Sequence, residues 1–395
     1  MRFLKFFSVA FVIVVSVLGS VFLINRNVFL AVYENRDAMQ EGLEFVEQTY
    51  SLLGLTQFME NHPQYVSVVS FEIDNPESGI FFQADTMRTL GYMANFFILV
   101  EYARQVDSGK LNPAELHTLE DIEKFLLPGI RETSHENAIR NMRRQGGIER
   151  NNIALKDVIG LVIYNNSMPA ADYLFHLLGP KNVNNTIKEL AGDNAEPFQA
   201  YISLQRHLIK SSGDIKSHFK NIKQANRTTF IDENLAWFER FRTDEVFAQQ
   251  WRETAKNTNI NLRFAEERKM YRSWPKATPR ALAGIMEKLA TNTLINEEVS
   301  SIVRSYMDWP MADRTTRRNL REYGALYDNR ISHLSGIDFG RSVYTDQTFA
   351  QVVVFENLPV GFWLHMSSNF MNQDYQKRLI FDPELFRISA EKFNM

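Results

Sequence analysis

Hydrophobic and polar positions divide this chain into segments of different period. Met39, Leu43, Val46, Tyr50 and Leu53 recur at helical spacing, so residues 34–55 read as an amphipathic helix. Tyr65, Ser67, Val69, Phe71 and Ile73 then alternate with Val66, Val68 and Ser70, the period of a strand. Asn75, Pro76 and Gly79 supply turn chemistry, and IFFQ returns as a second strand. Helical patterns dominate residues 86–191, at 90–106, 115–126, 153–164 and 168–177. The stretch 201–275 is polar, helix-like and studded with aromatic residues. TPRALAGIMEKLA predicts an amphipathic helix with Pro279 in its first turn. FAQVVVFE and VGFWLHMSS read as two strands joined by NLP. No repeat or low-complexity tract interrupts this order. Strands early, helices in the middle and strands late predict one lobe made from both chain ends, with a second lobe inserted between them.

The first segment has a different character. Arg2 and Lys5 precede an uncharged run from Phe6 to Asn25, and Arg26 closes it. About 20 such residues at about 1.5 Å each span a bilayer core of about 30 Å. Gly19 and Ser20 are small enough to precede a signal-peptide cut, and a buried helix is a further alternative. The apolar run continues through Phe22, Leu23 and Ile24, which favours an uncleaved transmembrane anchor over residues 6–25. The leading positive charges place residues 1–5 in the cytoplasm and the body outside it, in the periplasm or at the cell surface.

The chain has 395 residues, is 45% hydrophobic and 23% charged, and so suits a globular body of two lobes. A net charge of -3 gives no electrostatic case for nucleic acid. With no cysteine, thiol catalysis, thiolate metal sites and disulfides are excluded. The eight histidines are scattered without metal-ligand spacing, so neither a metal nor another cofactor is expected.

Five stretches, taken in order, resemble the class A β-lactamase and penicillin-binding serine hydrolase family. VSVVSFEIDNPESG looks like its first strand and hairpin, and FFILVEYARQVDSGKLN like the helix ending in Val-Asp-x-Gly-Lys-Leu. LKDVIGLVIYNNSMPAADYL is similar to the helix and turn that present Ser-Asp-Asn before Ala-Ala. ATPRALAGIMEKL is similar to the Thr-Pro-x-x-Met-Ala helix, and LSGIDFGRSVYTDQTFAQVVVF to the Lys-Thr/Ser-Gly strand with its partner. The resemblance runs roughly from Tyr65 to Ser368. It implies a β-lactamase/transpeptidase-like α+β fold, an antiparallel sheet lobe with an inserted helical lobe.

It also implies a chemistry whose parts are missing. A serine hydroxyl needs activation, which the family draws from a lysine one helical turn later, a second serine on a facing turn and a lysine on a strand. Counting back from Asp107, the nucleophile position falls on Tyr92 and its lysine on Asn95. Counting back from Ala170 and Ala171, the Ser-Asp-Asn triplet falls on Asn166, Ser167 and Met168. The Lys-Thr-Gly position reads Leu334, Ser335 and Gly336, with Leu334 expected to face the cleft and His333 and Ser335 to face away. The deacylating glutamate has only Glu196 as a loose counterpart.

The literal Ser-x-x-Lys, Ser217 to Lys220, falls in the wrong order for the fold and reads as a solvated helix face. Tyr92 reads as a cleft-lining aromatic, and Ser167 with Asn165 and Asn166 as turn and cap chemistry. The stretch 201–275 is longer than the family's connecting loop. It carries Lys210, Lys216, Lys220, Lys223 and Arg227 and then Trp237, Phe238, Phe241, Phe247, Trp251, Phe264, Tyr271 and Trp274. This suggests a helical subdomain or a surface for a partner.

The expected organisation is a domain over 34–395, with an α/β lobe at 35–82 and 284–395, a helical lobe at 83–283 and the insertion inside it. The expected role is that of a membrane-anchored pseudoenzyme binding a cell-envelope peptide, glycan or protein through the relic cleft or the insertion. The alternatives are an active hydrolase of altered mechanism using Ser167 or Tyr92, and a structural subunit of an envelope complex.

Overall fold

The computed structural model describes residues 33–130, 132–210, 226–258, 264–307 and 314–393. The expected anchor at 6–25 and the Ser217–Lys220 sequence lie outside these residues. Among the described residues, no helix is long and apolar enough to cross a membrane.

One five-stranded antiparallel sheet organises the fold. Its strands are β1 (Val66–Glu72), β2 (Asn75–Phe82), β3 (Leu320–Arg330), β4 (His333–Ser342) and β5 (Thr348–Phe355), in the spatial order β2-β1-β5-β4-β3. Both chain ends therefore meet in one sheet, with Val69 opposite Val352. Among the described residues, fifteen helices of eight or more residues cover it, and they follow in chain order. They are α1 (Leu52–Asn61), α2 (Asn95–Asp107), α3 (Thr133–Gln145), α4 (Leu155–Asn165), α5 (Met168–Leu178), α6 (Pro180–Ala191), α7 (Tyr201–Lys210) and α8 (Arg227–Thr243). Then come α9 (Glu245–Lys256), α10 (Phe264–Tyr271), α11 (Pro279–Ala290), α12 (Glu297–Met307), α13 (Val360–Ser368), α14 (Met371–Phe381) and α15 (Pro383–Phe393).

Alternation along each strand divides the core into two layers. Val69, Ile337, Val352 and Val354 face a large cluster with the inserted helices and with Leu282, Met286 and Leu289 of α11. Val68, Leu334, Val353 and Phe355 face the opposite side, where α1, α13, α14 and α15 supply Phe58, Phe362, Tyr375 and Phe393. Helix α11 starts where its sequence predicts: Thr278 Oγ1 accepts the Ala281 N–H and Pro279 fills the first turn. It packs on the sheet along its length, so a lobe boundary at 284 falls inside it.

Three local expectations fail for physical reasons. Residues 34–55 are two short helices, Arg36–Gln40 and Leu43–Val46, followed by α1. The break is at Gly42, held at φ 77° where a Cβ would lie 2.5 Å from the Pro359 side chain. Residues 116–118 pair with 152–154 as a small ribbon, leaving only Leu119–Glu123 helical in that stretch. VGFWLHMSS is helix α13 and not a strand. Its residues are apolar nearly all round, which removes the period that separates the two states, and Phe362 packs on Phe58 with ring centres 4.6 Å apart.

The aromatic residues of the insertion are turned inward. Trp237 packs on Phe241 and Trp251 at 4.9 and 5.3 Å, and Phe238 packs on Phe175 of α5 at 5.2 Å. Arg227 is paired to Glu196 and donates to the Ser273 carbonyl, tying the start of α8 to the segment leading into α11.

Candidate functional site

Tyr92 lies in a single 3₁₀ turn, Gly91–Ala94, that runs straight into α2. The turn is pinned from the sheet, because the Tyr92 N–H donates to Asp328 Oδ2 at 2.9 Å. Gly91 adopts φ 58°, and a Cβ there would sit 1.8 Å from that same carboxyl oxygen. Only glycine permits the approach.

The strand beside this turn is β3, which the hydrophobic pattern did not announce, and it presents Asp328 and Arg330. Both are buried. Desolvation pushes the Asp328 carboxyl well above its ordinary range and the Arg330 guanidinium well below its own. The two form an ion pair at 3.8 Å, beyond hydrogen-bond reach. Arg330 is held instead by aromatic faces, its guanidinium carbon lying 3.2 Å from the ring centre of Tyr92, 4.5 Å from Trp274 and 4.8 Å from Tyr271. Tyr92 also meets Tyr201 and Trp274 edge-on at 5.8 and 5.7 Å.

Asn95, 1% exposed, accepts the Tyr201 hydroxyl at 2.8 Å and donates to the Val162 carbonyl at 3.3 Å. Tyr92, Asn95 and Asn166 do line one cavity, with about 210 Å³ of space free of atoms. Three of the eight positions picked out from the sequence are thus neighbours. Asn166 is in the left-handed conformation (φ 51°) that ends α4.

The other five positions point elsewhere. Ser167 caps α5, its Oγ accepting the Ala170 N–H at 3.3 Å and lying 2.8 Å from His135 Nδ1. Met168 Sδ receives Gln205 Nε2 at 3.1 Å. Leu334 faces the back layer, contrary to the expected orientation, because it pairs with Asn329 and Phe355 in the back-facing row. His333 and Ser335 take the front, bonded to each other at 3.0 Å. Gly336 lies against Gln376 and Tyr327, where a Cβ would be 2.3 Å from Gln376 Oε1. Glu196 is engaged by Arg227 and by the Lys276 N–H.

His135 joins Ser167 to a third group, since its Nε2 lies 3.8 Å from Glu123 Oε1. Burial pushes His135 down to about 4, so the ring is neutral at physiological pH and Nδ1 shares one hydrogen bond with the Ser167 hydroxyl. Ser167→Ala is expected to cost roughly 1–2 kcal/mol through loss of the cap and of this bond. Thermal denaturation of the variant checks it.

The sequence missed Asp328, Arg330, His135 and Tyr201 as site residues. Tyr271 and Trp274 were visible as aromatics of the insertion, but not as the walls that hold Arg330. Among the described residues, no group of three or more His, Asp or Glu is arranged to hold a metal.

A profile of the beta-lactamase enzyme family matches residues 54–340. The chain belongs to that family. No curated protein matches. Among solved structures similar to this one, L2 complexed with relebactam has a TM-score of 0.50 at 11% identity, covering 85% of this chain and 97% of its own. A beta-lactamase from Xanthomonas campestris gives 0.49 at 9% identity, covering 84% and 98%. One from Sphaerobacter thermophilus gives 0.47 at 11%, covering 84% and 96%. At such identities the likeness concerns the fold alone. The family match, by contrast, includes Tyr92, Asn95, Asn166 and β3.

Proposed function

We propose that this member of the beta-lactamase enzyme family binds a ligand without cleaving it. In this reading residues 6–25 tether the body outside the cytoplasm, and the ligand is a peptide, glycan fragment or protein of the cell envelope. The observation that carries the proposal is the Tyr92 site. Where the family's chemistry calls for an activated serine and a lysine, a phenol lies under Arg330 and a neutral amide is bonded to Tyr201 and Val162. The neighbouring strand offers a buried carboxyl, Asp328, to the backbone of the turn, and only a small, partly open cavity remains beside it.

One arrangement favours a second reading, an active hydrolase using Ser167. Ser167, His135 and Glu123 follow the order of nucleophile, base and orienting carboxylate. Against it, Ser167 is fully buried and its oxygen already caps α5. The two readings separate on one experiment. The full-length protein is incubated with a fluorescent penicillin and, separately, a fluorophosphonate, and its intact mass is measured. No adduct is expected. A stoichiometric adduct on Ser167 would establish the second reading, and one on any residue would end the first.

A further inference from the structure

The turn joining β3 to β4 gathers buried polar groups that have no partner. Arg330 is 7% exposed, and neither Nε nor Nη2 has a hydrogen-bond acceptor. Ser332 Oγ, two residues on and 1% exposed, is also without one. His333, 4% exposed, leaves Nδ1 unpaired. Its Nε2 shares a hydrogen bond with the Ser335 hydroxyl at 3.0 Å; in the tautomer in which that hydroxyl donates, Nδ1 carries the ring proton and is a donor. Buried groups of this kind are rare, and leaving one unmet carries the full cost of its desolvation.

All three residues line one small recess, with about 300 Å³ of atom-free space when the open solvent at its mouth is included, and Arg268 and Arg272 at the end of α10 line it too. None of Tyr92, Asn95 and Asn166 lines it, so it is separate from the cavity described above.

The charges there are unbalanced. Arg268 is paired to Glu41 at 3.1 Å, but Arg272 donates only to the neutral Asn357. Glu356, the one carboxylate on the wall, takes the Thr89 hydroxyl and faces Arg88 at 3.7 Å. Asp328 is too far from Arg330 to accept its protons, and burial drives it toward the neutral form. Two guanidinium groups, Arg330 and Arg272, are left facing a small space without a carboxylate bonded to either.

We propose that this recess binds a compact oxyanion, a carboxylate or phosphate group, gripped by the Nε–Nη2 edge of Arg330 with Ser332, His333 and Arg272 beside it. That edge presents two parallel donors, the fit for two oxygens on one atom. The aromatic cage of Tyr92, Tyr271 and Trp274 fixes the guanidinium plane in advance, so little side-chain entropy is lost on binding. The bound group ties α10, part of the insertion, to the β3–β4 turn. The inference goes beyond the non-catalytic reading and does not depend on it.

The test is calorimetric titration of the full-length protein with sodium phosphate and, in a separate arm, sodium acetate, with sodium chloride as the ionic-strength control. Tryptophan fluorescence is read in parallel, since Trp274 contacts Arg330. Saturable binding in one of the first two arms, absent with chloride, is expected, and the stronger arm names the group. Arg330→Lys keeps the charge but loses the two-pronged edge, and should weaken binding roughly tenfold or more. Ser332→Ala and Arg272→Gln, which leave the cage intact, should each weaken it several-fold, and they decide the matter if the lysine variant does not fold. Absence of saturable binding up to tens of millimolar in both arms overturns the proposal. So does affinity unchanged in Ser332→Ala and Arg272→Gln.

Discussion

A Tyr92→Ser, Asn95→Lys double variant, which sets a serine and a lysine where the family resemblance would place them, is expected to gain no reactivity toward penicillin and to lose roughly 4 kcal/mol of stability. Asn95 is almost wholly buried, and its two partners, the Tyr201 hydroxyl and the Val162 carbonyl, carry no charge. An ammonium placed there must either stay charged without a counter-ion or titrate some three units below its ordinary value. The figure is the free energy of that shift. Removing the Tyr92 ring also withdraws one wall from Arg330 and opens a gap beside Tyr201 and Trp274. Chemistry does not return, because Asn166 stands on the facing turn and Asp328 on the adjoining strand. Groups that act as a unit are not restored singly. Urea denaturation and intact-mass measurement after penicillin treatment check both parts. A double variant as stable as the parent, or one that acylates, would show that the site has kept its machinery.

The second large effect is on pH dependence. Asp338 lies buried on the back of β4, near the hydroxyls of Tyr323 and Tyr327, and burial pushes its carboxyl up to about 7 from 3.8. Between these values the folded protein keeps a proton that the unfolded chain has released. Stability therefore falls as pH rises through that window, by up to about 1.4 kcal/mol per unit. Glu132, also pushed up to about 7 by burial, acts in the same direction. His135 and His333, pushed down to about 4, act in the opposite one. The unfolded chain takes up their protons below 6.5 while the folded chain does not, so stability falls as pH falls. The total profile mixes these opposed contributions with those of Asp328 and Asp172, whose carboxyls burial also pushes up, so one group must be isolated by difference. Asp338→Asn, which cannot titrate, is expected to gain on the parent by roughly 2–3 kcal/mol between about pH 5 and about pH 8. Parallel stability curves for the two chains would show that Asp338 is not held protonated.

The parts of this fold that could be read from the sequence are those whose burial is one-sided. Strand β1 and helix α11 have clean periods, and α11 has its own start signal in Thr278 and Pro279. Strand β3 has no such period. Its front-facing row, Leu326, Asp328 and Arg330, becomes polar where it meets the Tyr92 turn, so hydrophobic alternation stops where the site begins. Helix α13 failed for the opposite reason, being apolar on too many sides. The site was half legible. Spacing along continuous helices brought Tyr92, Asn95 and Asn166 to one cavity. The orientation of Leu334 came out reversed because motif position, and not strand pairing, had set the phase. The cage around Arg330 draws on β3, α10 and the segment after it. Nothing local in those segments records that they meet.

The position of β1 between β2 and β5 also governs the order in which the molecule is made. Its pairing with β2 is available at once, but its other edge waits for residues 281 positions later, as the Ser70–Gln351 side-chain bond records. Closing so long a loop is slow, and until it closes an apolar strand edge is open to other chains. The back layer arrives later still, since α13, α14 and α15 follow β5. Until α15 is made, part of the first hairpin stays uncovered, and a truncation that removes α15 strips Phe393 from Phe82 of β2.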